Sequence, residues 1–84
     1  MTFRVREIVW DHGIAQTSTL LRPIFSGRGA AVDHIRLLQK NFDAKGLDQA
    51  QQVWWARKIG ETPIHRWMIE ETVNIGSRPG GLRG

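Results

Sequence analysis

No cysteine occurs anywhere in this chain of 84 residues, and in a domain so short that absence is the tightest constraint on the fold. Disulfide scaffolds, thiolate zinc sites and cysteine nucleophiles are excluded together. A single apolar core must hold the structure, yet a chain of this size buries only about 60% of the surface its unfolded form exposes. The apolar fraction is 40%, and nine Gly add to it, which lies within the ordinary range for globular chains. Disorder of the whole chain is therefore excluded, and one domain is expected.

The longest run without a charge, His12 to Leu21, is ten residues, far short of the ~20 that a membrane helix needs. The opening Met1-Thr2-Phe3-Arg4-Val5-Arg6-Glu7 places charges where a signal peptide carries its apolar stretch. The expected location is intracellular, or within a virion or an organellar complex, and not secreted by a signal peptide.

The formal net charge is +4, and the cations are nine Arg and three Lys. Arg dominance favours planar, bidentate contacts. A basic balance points to nucleic acid only where the charge is focused on one surface. Here it is spread: residues 1–30 carry +2, 31–60 carry +2, 61–71 carry −2 and 72–84 carry +2. An evenly solvated basic surface is the simpler reading, and any nucleic-acid binding is expected to be weak.

Phe3 to Trp10 reads as a strand, with Phe3, Val5, Glu7 and Val9 on one side and Arg4, Arg6, Ile8 and Trp10 on the other. Neither side is cleanly apolar, so an edge strand, or one completed by another chain, is expected. Asp11-His12-Gly13 reads as a turn. Residues 14–25 fit a loop at Gln16-Thr17-Ser18-Thr19 and burial around the break at Pro23. After Ser26-Gly27-Arg28-Gly29 the stripe Ala31, Ile35, Leu38, Phe42 predicts a helix, closed by Lys45-Gly46. Asp48 as N-cap with Gln51 three residues on predicts a second helix over Gln49 to Ile59. Thr62-Pro63 predicts a third, with Ile64, Trp67 and Met68 inward and its end at Asn74. Residues 77–84 lack the apolar area to fold back and are expected to form an extended basic arm. The expected architecture is thus mainly α: an N-terminal strand or extended segment and a three-helix core over residues 1–76, then the arm over 77–84.

The stretch from Asp48 to Asn74, read as helix, Gly, short turn and helix, resembles the helix-turn-helix of DNA-binding proteins. Ala56, Ile59 and Ile69 stand where that motif places apolar residues, with Gly60 at its turn. The resemblance implies a DNA reader using Arg57, Lys58 and Arg66. Glu61 and Arg66 stand where the motif buries aliphatic side chains, and Glu70 and Glu71 oppose phosphate, so an ordinary helical hairpin is the preferred reading.

Four Trp accompany no Tyr. Trp54 and Trp55 point to different sides of one element, so both cannot enter one small core, and Trp55 is assigned to an interface. Asp11-His12, Asp33-His34 and Glu61 with His65 are short-range pairs that show no convergence of metal ligands, and Ser18, Ser26 and Ser77 lack a neighbouring base. No enzyme, metal or cofactor is expected. Ser26-Gly27-Arg28-Gly29 opens a helix without the spacing of a phosphate-binding loop.

The sequence therefore points to a non-enzymatic small basic protein that docks into a larger protein assembly, such as a phage particle, an organellar or bacterial complex, or a bacterial machine that it inhibits. Trp55, Arg78, Leu82 and Arg83 are its candidate contacts, in an oligomer or hetero-complex. The alternative is a small helix-turn-helix-like regulator of phage or plasmid type.

Overall fold

A computed structural model describes residues 1–72. The elements in chain order are β1 (Thr2–Asp11), β2 (Ile14–Leu20), α1 (Arg28–Gln39), β3 (Ala44–Asp48), β4 (Val53–Arg57) and β5 (Ile64–Thr72). The strands form one antiparallel sheet in the order β2-β1-β5-β4-β3. The expected mainly α, three-helix core is thereby overturned: one short helix lies on a five-stranded sheet. The helix-turn-helix resemblance falls with it, because the segments it needs as helices are β4 and β5.

The reason lies in which periodicity the packing satisfies. In β4, Trp54 and Ala56 enter the core while Trp55 and Arg57 point to the other side, the two-residue alternation of a strand. β5 is partly buried along most of its length, so no polar side marks its alternation. The dense apolar run of Ile64, Trp67, Met68 and Ile69 then also satisfies a helical spacing by chance. Pro63 precedes the first residue of β5, where a missing N–H costs no ladder bond.

Several local signals hold their place in a different context. His12 and Gly13 adopt left-handed φ of 53° and 76°, as a two-residue hairpin turn requires to match strand twist. Asp48 Oδ1 accepts the backbone N–H groups of Ala50 (3.1 Å) and Gln51 (3.3 Å), so the expected cap exists but closes the β3–β4 turn. Lys45 and Gly46, expected to end a helix, lie inside β3. β1 is not an edge strand: β2 and β5 flank it. The chain past Leu20 stays beside β1, since Phe3 and Phe25 exchange two backbone hydrogen bonds of 2.8 Å.

β2 and β3 are opposite edges of the sheet, so the chain between them must cross it, and α1 makes that crossing over one face. Ala31 and Ile35 bury there with Val5, Trp54, Ala56 and Trp67, and Phe3, Leu21, Phe25, Val32, Leu38, Phe42 and Ile69 pack around them. Gln39, also buried, donates its amide to the carbonyls of Gly46 (3.0 Å) and Trp55 (2.9 Å), tying the helix end to β3 and β4. Ile64 and Met68, expected inward, instead alternate onto the opposite face, which no helix of the described residues covers; Val53 lies on that face too, yet is buried, 6% exposed. The expected boundary at residues 76/77 and the arm lie outside the described residues.

Candidate binding face

The helix-free face is set by register, because directly opposed residues of paired strands share a face. Across β3, β4, β5, β1 and β2 one row reads Gly46, Trp55, Arg66, Ile8 and Ser18. The row beside it carries Asp48, Val53, Met68, Arg6 and Leu20. On the other side Trp10 pairs with Ile64, near Arg57. The face therefore mixes two indoles, a bed of aliphatic side chains and several guanidinium groups.

A pocket of about 420 Å³ opens on this face. Val53, Trp55 and Arg57 of β4, Ile64 and Arg66 of β5, Asp48 at the end of β3 and Gln51 of the β3–β4 turn line it. Trp55 lies down over β3 because Gly46 opposes it: a Cβ at Gly46 would sit 2.9 Å from Cε2, Cζ2 and Nε1 of the indole. The missing side chain leaves room for the ring to lie over the β3 backbone, and Trp55 also lines the pocket.

The cations of the face divide into occupied and free. Arg6 Nε donates to Glu70 Oε2 at 2.5 Å and Arg6 NH1 to Ser18 Oγ at 3.1 Å. That hydrogen bond first, and the Glu70 charge second, hold the Arg6 guanidinium above its ordinary pKa. Arg4 donates twice to the Leu21 carbonyl, at 3.0 and 2.8 Å. Arg66 lies over the Trp10 ring, 5.2 Å from its centroid, a cation–π contact. Neither Arg57 nor Arg66 has a carboxylate partner among the described residues. Asp48 reaches the pocket, but one of its oxygens is held by the two turn amides.

The structure brings Trp55, Arg57 and Arg66 together around one pocket. Lys58 lies apart from them, its Nζ 5.9 Å from the Phe42 ring centroid. Arg78, Leu82 and Arg83 lie outside the described residues. Trp10, Gly46 and Ile64 were not singled out from the sequence as site residues. Trp10 was visible on the Arg4, Arg6, Ile8 side of the first strand, whereas Gly46 gains its role only through its partner across the ladder.

A second polar cluster sits on the helix side. Trp67 Nε1 donates to Glu7 Oε2 at 3.0 Å, and His65 Nδ1 lies 3.6 Å from the same oxygen, too far for a hydrogen bond. The His65 ring packs on Phe42 and Trp67. His65 thus meets Glu7 and not the Glu61 that its spacing proposed. Among the described residues no three His, Cys, Asp or Glu side chains converge as metal ligands, and no helix is long and apolar enough to cross a membrane.

Neither a scan against protein families nor searches of curated proteins and of solved structures yield a match to this chain.

Proposed function

We propose that the chain is a non-enzymatic binding module, a small accessory subunit that engages a larger partner through the helix-free face of its sheet. The observation that supports this reading is the pocket where Trp55 lies flat beside Arg57 and Arg66, two cations without carboxylate partners among the described residues. An uncovered sheet face bearing large aromatic side chains and Arg has the composition found at the centres of binding interfaces. The arrangement suits recognition better than chemistry: among the described residues that line it the pocket holds no His and no Ser, and its one carboxylate, Asp48, has an oxygen held by two turn amides.

Size-exclusion profiles of the native protein in a host extract test the reading. The wild type is expected in a particle well above its 9.6 kDa monomer mass. A Trp55→Ala/Arg66→Ala double variant, folded by circular dichroism, is expected to elute alone. Elution of the wild type as a free monomer, or retention of the double variant in the particle, contradicts it.

A further inference from the structure

We infer that the occupant of this face is a segment of single-stranded nucleic acid, with a base stacked on Trp55 and its phosphates held by Arg57 and Arg66. The inference rests on the binding-module reading and names the partner of that same site.

Three properties of the face select this occupant. The first is charge. Arg57 and Arg66 flank the pocket without carboxylate partners among the described residues, while Arg4 and Arg6 are committed to Leu21 and Glu70. Asp48 lines the same pocket, so the two guanidiniums outnumber its carboxylate by one, and a second copy stacked face to face would double that excess instead of neutralising it. A polyanion answers that need at every residue of its backbone.

The second property is the lie of the indole. Trp55 rests flat on Gly46 instead of standing off the sheet, so it offers a π-face and not an edge. Stacking on such a face is how unpaired bases are held, and it tolerates any base. Arg66 adds a second platform, since its guanidinium already lies over the Trp10 ring and bases stack on guanidinium planes too. Trp55, Arg66 and Trp10 follow one another across β4, β5 and β1, a track along which successive nucleotides can lie.

The third property is width. Five strands about 4.8 Å apart make a platform roughly 19 Å across. The major groove of a duplex is about 12 Å wide, so the whole face does not fit into it, and a base paired and stacked inside a duplex offers Trp55 no free surface. The stacking geometry therefore favours a single strand.

The test is fluorescence anisotropy of the full chain with a labelled oligothymidylate and a labelled oligouridylate, followed in parallel by quenching of tryptophan emission. Binding of at least one strand is expected, with quenching that Trp55→Ala reduces. Two phosphates neutralised predict a slope of log K against log salt of about −1.4, and Arg57→Ala or Arg66→Ala should each reduce that slope by about 0.7. Trp55→Ala should weaken binding about 5- to 150-fold, the fold-change of one lost base–aromatic stack. Trp55→Phe should restore most of it. Arg36→Ala, on the exposed side of α1, is the control and should change affinity little. If Trp55→Ala does not fold, the Arg57 and Arg66 variants carry the test. Absence of binding to either strand overturns the inference, as does duplex or free mononucleotide bound as tightly as the strand. So does binding insensitive to Trp55, Arg57 and Arg66. A nuclease-resistant particle that the face variants still dissociate would overturn the nucleic-acid partner while leaving the binding-module reading intact.

Discussion

The indole N–H of Trp67 donates to the Glu7 carboxylate at 3.0 Å, between residues directly opposed on β5 and β1. Trp67 is 1% exposed, so this one acceptor satisfies a donor that water cannot reach. The ring packs in the core while its polar edge meets a carboxylate at the core margin. A large aromatic residue can be buried in a small domain on these terms.

Glu7→Leu is therefore expected to destabilise the protein by about 1–3 kcal/mol, the cost of leaving a buried donor unsatisfied. Glu7→Gln keeps an oxygen in place and should cost less. Urea denaturation of both variants decides this: a Glu7→Leu protein as stable as the wild type would show that the bond contributes nothing net.

Trp67→Ala and Trp55→Ala should differ sharply. The first empties the centre of the core and should cost about 3–5 kcal/mol, comparable to the whole stability of a domain this size. The second removes a ring from the helix-free face and should leave a folded protein. Thermal melts followed by circular dichroism compare them, and equal losses would contradict the division of the two Trp between faces.

Gly46→Ala should cost about 1–3 kcal/mol through overpacking, because its methyl meets three atoms of Trp55 at 2.9 Å. In a Trp55→Ala background the same substitution should be nearly neutral. The coupling energy from the four proteins reads the contact directly, and additive effects would place the Trp55 ring elsewhere.

β2 is an edge strand of seven residues, IAQTSTL, with no charge and no proline, and it is exposed except at Leu20. Such an edge is a template for pairing with other chains. Thr17→Lys is expected to raise the concentration at which light scattering appears on heating, with little change in melting temperature. Unchanged scattering would mean that aggregation starts elsewhere.

The features legible in the residues were local ones. His12-Gly13 marks a turn because those two positions take left-handed φ. Ala31, Ile35 and Leu38 mark a helix because they recur along one side of it, and the Asp48 carboxylate caps the amides that follow it. Trp54 and Trp55 must part, whether the element is helix or strand, because neighbours diverge in both. The binding face was legible only in fragments: Trp55, Arg57 and Arg66 were singled out, but as members of helices and for different reasons.

What the residues by themselves determined is that a Cys-free, basic chain must close one small apolar core with a helix near its middle. Whether the rest became helices or strands was decided by pairing across the molecule. β1 meets β5 over some sixty residues of intervening chain, as with Glu7 and Trp67. The ladder between them satisfies backbone groups that no local pattern commits. β1 and β5 are also partly buried on both faces, one under the helix and one under its own aromatic and Arg side chains. Their alternation between polar and apolar is thereby blurred, and a spacing of three and four can be drawn through the same residues. Local periodicity cannot separate the two structures when both sides of a strand are wanted inside, and long-range hydrogen bonding then makes the choice.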